Sequence, residues 1–237
     1  MALPVVLVHG IRVSRTMWEP VVGQLDRPAH AVDLPGHGAR RGEPFTMAAA
    51  TEAVAAAVDH VGGRALVAGL SLGGFVGIAA AGRFPERVAG LVAIGCTARP
   101  TRLVGLYRGA AALAARFPEQ ANQLSAYAFR RALPRPAADA VVAGGLSSEV
   151  MPAVVAAVAG HDQLGALAAY PGPVWLVNGD RDPFRADERS YLAACRDGRL
   201  IRLPRTGHFT VLADPVRLAR LIEDAAAHAE RRHPAAR

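Results

Sequence analysis

Short apolar runs rich in Val, Leu, Ile and Ala recur along this chain, each closed by Gly, Pro, Asn or Asp. Such runs predict strands buried on both faces, because a strand with one wet face would alternate apolar and polar side chains. They cover residues 5–9, 29–33, 65–69, 88–94, 174–178 and 200–203. Ala-rich stretches of helical character separate most of them. Residues 47–61 precede the third run, residues 72–83 follow it and stop before Pro85, and residues 214–230 come last. Asp214 is placed to cap that last helix, with Pro215 as its first residue. Strands alternating with helices predict an α/β fold, a mostly parallel sheet with helices on both faces.

Residues 96–172 break the rhythm. No strand is legible there, and helical pieces at 103–116, 119–132 and 150–159 are punctuated by Pro118, Pro134, Pro136 and Pro152. A crossover between parallel strands needs far less chain. The expected organisation is therefore a core formed by 1–95 and 173–237, with 96–172 as a helical cap over one end of the sheet. Residues 233–237 read as a frayed tail.

Composition narrows the function. At 51% hydrophobic and 20% charged, the chain can bury a full core and is not a disordered one. All 27 basic residues are Arg, so no lysine Schiff base or lysine general base is available. The net charge of +7 is scattered, apart from a short cluster at Arg231, Arg232 and Arg237, which argues against a nucleic-acid stripe. Two distant Cys, Cys96 and Cys195, form no zinc-ligand spacing and no disulfide framework. The apolar N-terminal run is too short to span a membrane and lacks a basic flank. The expectation is a cytoplasmic protein with no cofactor, no metal, and neither a nucleic-acid nor a membrane partner.

One motif carries chemistry. Gly69-Leu70-Ser71-Leu72-Gly73 matches G-x-S-x-G. With six Ser and 24 Gly in the chain, about 0.06 such matches would arise by chance. It also sits where a predicted strand turns into a predicted helix. A sharp turn there exposes the hydroxyl, and the glycines give the room it needs. The plain alternative is a helix-capping serine. A serine nucleophile needs a base, and His208, in a Gly-containing turn past the last strand, is the best placed of the eight His. Two carboxylates follow the fifth strand. Asp182 is preferred over Asp180, which lies one residue past a Gly turn where Asp commonly serves the turn itself. Backbone N–H groups of Ile11, after His9-Gly10, and of Leu72, after the serine, are expected to bind an oxyanion. Arg12 borders that loop, with Arg15 three residues on, and an Arg there could hold the anionic group of a substrate. In a chain whose basic residues are all Arg, the stronger reading is a solvated surface residue.

These residues resemble the α/β-hydrolase superfamily over nearly the whole chain. The likeness rests on 5–10 with Trp18 downstream, on Asp33-Leu34-Pro35-Gly36-His37-Gly38, and on 69–74, 179–183 and Gly207-His208. The chain order Ser71, Asp182, His208 is that of the family. Asp33 to Gly38 reads as a structural turn, and His37 is not taken as catalytic. The strand ending in His9-Gly10 begins near Met1, without two further strands ahead of it, as in the compact methylesterase and hydroxynitrile lyase group. The resemblance implies strand order 2-1-3-4-5-6 and a serine hydrolase acting on a small carboxylic ester or thioester through an acyl-enzyme. A lyase, a C–C bond hydrolase or a biosynthetic enzyme on the same triad is the alternative, and a non-catalytic ligand receptor the remaining one. The lyases of that group use a Lys near the catalytic His, which this chain lacks; Phe209 follows His208.

Overall fold

The computed structural model describes residues 2–99 and 104–232. It contains six strands and ten α-helices among these residues: β1 (Val5–Val8), α1 (Glu19–Val22), β2 (Ala29–Val32), α2 (Met47–His60), β3 (Ala65–Leu70), α3 (Leu72–Arg83), β4 (Val88–Ile94), α4 (Val104–Arg116), α5 (Pro118–Ala132), α6 (Arg135–Ala143), α7 (Met151–Ala159), α8 (Gln163–Ala169), β5 (Pro173–Gly179), α9 (Glu188–Ala194), β6 (Asp197–Leu203) and α10 (Pro215–Arg232).

The strands form one sheet in the order β2-β1-β3-β4-β5-β6. Every pairing is parallel, so the expectation of a mostly parallel sheet is met in its strictest form. All six predicted strands are present; β4 matches its expected span at both ends, and the others differ by one to three residues at an end, β6 starting at Asp197 rather than 200. β1, β3, β4 and β5 are buried throughout, which is why their sequences are continuous apolar runs.

Alternate side chains feed two separate cores. Val5, Leu7, Leu66, Ala68, Val92, Trp175 and Val177 meet α10 and the Trp18 turn on one face. Val6, Val8, Val67, Leu91, Ala93, Val174 and Leu176 meet α2, α3 and Tyr191 of α9 on the other. The cap of α10 is as expected: Asp214 Oδ1 accepts from Arg217 N at 3.0 Å, ahead of Pro215.

The described part of 96–172 holds five helices, α4 to α8, and no strand. Residue 103, the expected start of its first helix, lies outside the described residues, as does the tail 233–237. Four helices carried no expectation: α1, α6, α8 and α9. They have four to nine residues, too short to hold on propensity, so packing stabilises them. Phe129 of α5 and Ala138 and Val141 of α6 join the core that contains Trp18. Val154 and Val158 of α7 and Leu167 of α8 join the opposite core. α8 lies directly on α3: a Cβ at Gly82 would stand 3.0 Å from the Ala166 Cβ. Among the described residues no single helix is long and apolar enough to cross a membrane.

Candidate active site

Ser71 holds φ 56° and ψ −112° between β3 and α3, a left-handed conformation rare for a residue with a side chain. The turn is pinned from both sides. Ser71 N donates to Ile94 O at 2.7 Å, and Ser71 O accepts from Phe75 N at 3.1 Å as α3 begins. The motif glycines are steric requirements. A Cβ on Gly69 would run into the backbone of Gly73, and a Cβ on Gly73 into the carbonyl of Val8 at the end of β1. The elbow can thus fold tightly against β1 only with glycine at both positions, and α3 behind it is buried while Ser71 stays partly exposed.

The loops after β5 and β6 bring the other two groups in. His208 Nε2 lies 3.0 Å from Ser71 Oγ. His208 Nδ1 lies 2.9 Å from Asp182 Oδ2. An ionised carboxylate can only accept, so Nδ1 carries the proton and Nε2 is left to accept from the serine hydroxyl. Asp182 Oδ1 accepts from Phe184 N at 2.8 Å, which occupies the other carboxylate oxygen. The Asp182 side chain is 2% exposed and that of His208 9%, so the pair is largely shielded from water. Asp180 does other work: its Oδ1 accepts from Thr206 N at 3.1 Å. The two loops are further stitched by Asp180 N to Leu203 O and Arg181 N to Thr206 O, both 3.0 Å. A Cβ on Gly179 would collide with the Thr206 carbonyl, so glycine is required where the loops touch.

The loop after β1 lies against the elbow, with the Cβ direction of Gly10 3.9 Å from Ser71 Cβ. His9 fixes this loop. Its Nδ1 donates to Gly10 O at 2.7 Å, and its Nε2 accepts from Leu34 N at 2.9 Å. Burial, reinforced by His37 at a ring distance of 4.8 Å, holds His9 down to about 3, so it is neutral at pH 7. Ile11 and Leu72 line the same cavity as Ser71 and His208. Leu72 opens α3, so its N–H has no acceptor within the helix. That cavity measures about 890 Å³. Phe75 of α3 and Met151, Val154, Val155 and Val158 of α7 make one apolar wall of it. Among the described residues no cluster of three or more His, Cys, Asp or Glu could hold a metal ion.

The sequence profile of the alpha/beta hydrolase family matches residues 5–221. The chain belongs to the alpha/beta hydrolase family. Among curated relatives, a pimeloyl-[acyl-carrier protein] methyl ester esterase of Neisseria meningitidis is 40% identical over 111 residues, 46% of this chain and 42% of that protein. One of the same name from Nitrosomonas europaea is 41% identical over 95 residues, 39% of this chain and 36% of that protein. The chain thus matches less than half the length of these relatives. A solved thermophilic esterase from Thermogutta terrifontis superposes with a TM-score of 0.78, covering 97% of this chain and 91% of that one at 24% identity.

In this alpha/beta hydrolase the sheet order reverses between β1 and β3, and the Ser71 turn and the Gly10 loop meet at that switch point, beyond the carboxyl ends of the strands. Helices of the 96–172 stretch reach the site through aromatic contacts. Phe184 and Phe209 flank His208 with ring distances of 4.5 and 4.9 Å. Tyr107 of α4 stands 5.8 Å from Phe184, and Phe129 of α5 stands 5.1 Å from Phe209. Arg12 lines the cavity and donates from Nη1 to Ser125 Oγ of α5 at 2.7 Å. Arg15 does not join it; its guanidinium pairs with Asp33 at 3.5 Å. Gly95, Ser125 and Phe184 carried no expectation. Gly95 had a signal, since it follows β4 at the carboxyl end of the strands where α/β sites form, but nothing local marks Ser125.

Proposed function

We propose that this protein is a serine hydrolase of small carboxylic esters, working through an acyl-enzyme. The observation that carries the reading is the chain of two hydrogen bonds from Ser71 Oγ through the His208 ring to Asp182. Ser71 Oγ attacks the ester carbonyl while His208 Nε2 takes its proton. Asp182, behind the ring, stabilises the imidazolium that forms. The N–H groups of Ile11 and Leu72 receive the negative charge on the carbonyl oxygen. His208 then hands its proton to the departing alcohol, which breaks the C–O bond and leaves the acyl group on Ser71. A water, deprotonated by His208, releases the acid and restores the serine. A thioester would follow the same steps with a thiol as leaving group.

Residues 96–172 act as a cap in this reading, supported by Tyr107 of α4 and four residues of α7 in the cavity lining and by Phe129 of α5 packing on Phe209. The apolar wall from α3 and α7 suits the hydrocarbon part of the substrate. The esterase names of the part-length relatives agree with this reading.

A series of p-nitrophenyl esters of rising chain length, run beside acyl thioesters, tests it. The wild type should turn over at least one of them, and Ser71→Ala should lose three orders of magnitude or more. A fluorophosphonate should add to Ser71 by mass spectrometry. A folded wild type with no adduct, or a Ser71→Ala protein keeping over about a tenth of the rate, overturns the reading.

A further inference from the structure

Arg12 is an unusual cation. It sits in the wall of the cavity that holds Ser71, and burial lowers its pKa with no opposing partner. Among the described residues no carboxylate lies within ion-pair distance of it. Its guanidinium has one protein acceptor among the described residues, the neutral hydroxyl Ser125 Oγ at 2.7 Å. Compare Arg27, whose side chain is 9% exposed and meets both Glu223, at 2.7 Å, and Glu230, at 3.8 Å. A desolvated charge is costly unless paired, and at Arg27 the chain supplies the pair.

The backbone at Arg12 is also held in an unfavourable place. Its φ is 62°, although glycine is the residue suited to that region. Ser147 N donates to Arg12 O at 2.8 Å and fixes the conformation. Ser125 in turn gives its proton to Ala121 O at 2.7 Å, so its oxygen is left to accept from the guanidinium. Strained backbone, a fixed carbonyl and an oriented hydroxyl aim the guanidinium, whose remaining N–H donors meet no protein acceptor among the described residues.

We propose that Arg12, positioned by Ser125, is a carboxylate subsite, and that the substrate is an ester bearing a second, free carboxylate. The inference rests on the ester-hydrolase reading and names its substrate class. The donor set decides for carboxylate over phosphate. A planar guanidinium offers two parallel N–H bonds, which suits the two oxygens of a carboxylate. Ser125 has spent its proton, so a third donor for a phosphate oxygen is missing. Arg12 contacts the substrate; Ser125 is a positioning residue.

The test compares esters of matched length. Monomethyl adipate carries the charge on the acid part and 4-(butanoyloxy)butanoate carries it on the alcohol part; methyl hexanoate and butyl butanoate are neutral. In Arg12→Gln the ratio of kcat/KM for a charged ester to that for its neutral match should fall roughly ten- to hundredfold, carried by KM. Which charged ester responds identifies the side of the bond that faces Arg12. Arg12→Lys should recover part of the ratio, and Ser125→Ala should lower it less than Arg12→Gln. Charged and neutral esters falling together would mean a structural role and would overturn the proposal. Adipate binding to Ser71→Ala, with and without Arg12→Gln, gives a readout that needs no turnover. Equal binding to the two proteins overturns the subsite, whereas weaker binding to the double variant with no ester hydrolysed by the wild type leaves the subsite standing and overturns the esterase reading.

Discussion

Gly95 stands directly against His208. A Cβ built on it would lie 3.1 Å from both Nδ1 and Cε1 of the imidazole, and 2.9 Å from Asp182 Oδ2. Its φ is 62°, and its N–H donates to Val177 O at 2.8 Å, so β5 holds it there. Gly95→Ala should therefore disturb the hydrogen bond between Asp182 and His208 while adding about 1 kcal/mol of backbone strain. We expect kcat to fall roughly tenfold or more with KM little changed, and Tm to drop by a few degrees. An unchanged kcat would show that the pair tolerates a methyl group at that distance.

Asp182→Asn should keep the shape of the site but favour the wrong imidazole tautomer, lowering kcat by up to about 10⁴. Asp180→Asn should act on the loop instead. Its carboxylate, whose pKa is lowered by backbone N–H groups of Arg205 and Thr206, only ties that loop down. A modest loss of thermal stability with kcat within about tenfold is the expected result. Steady-state kinetics on both variants, beside their melting curves, checks the pair, and reversed effects would assign the orienting role to Asp180.

His9 links stability to pH. It is neutral in the fold, with a pKa held down to about 3 by burial, whereas an unfolded His titrates near the ordinary 6.5. Between those values the unfolded chain carries a proton that the folded chain refuses. Unfolding then takes up a proton, so stability is full above pH 6.5 and declines as pH falls towards 3. His37, lowered by burial as well, acts in the same direction. Urea midpoints at pH 7 and pH 5 should show the decline in wild type and a smaller one in His9→Asn. An equal slope in the two proteins would place the linkage elsewhere.

Val155 faces the apolar wall of the cavity from α7. Val155→Trp adds bulk where the cavity is open rather than in a closed core, so the fold should survive. The preferred p-nitrophenyl ester should shift to a shorter acyl chain, with kcat/KM for the longest good substrate down roughly tenfold. A wild-type chain-length profile would put the acyl chain against a different wall.

Much of this was legible in the chain itself. Buried parallel strands are continuous apolar runs, so β1 and β3 to β5 could be read directly from composition along a few residues. Gly69, Ser71 and Gly73 were legible because a tight strand-to-helix turn is a local event with local steric needs. The base and its carboxylate could be narrowed to loops after named strands, since a parallel sheet delivers those loops to one edge. Between chemically equal neighbours the chain gave only an inclination. Asp182 was preferred because Asp180 follows a Gly turn, and Arg12 was singled out beside Arg15 because it borders the Ile11 loop. Backbone direction separates them: Asp180 turns to Thr206 N and Arg15 to Asp33, while Asp182 turns to His208 and Arg12 into the cavity. Ser125 became visible only when α5 came to lie beside the Arg12 loop. Local pattern records the period of an element and the chemistry of its turn; contacts across 100 residues or more, such as Arg12 with Ser125 and Ser71 with His208, exist only once the elements are packed.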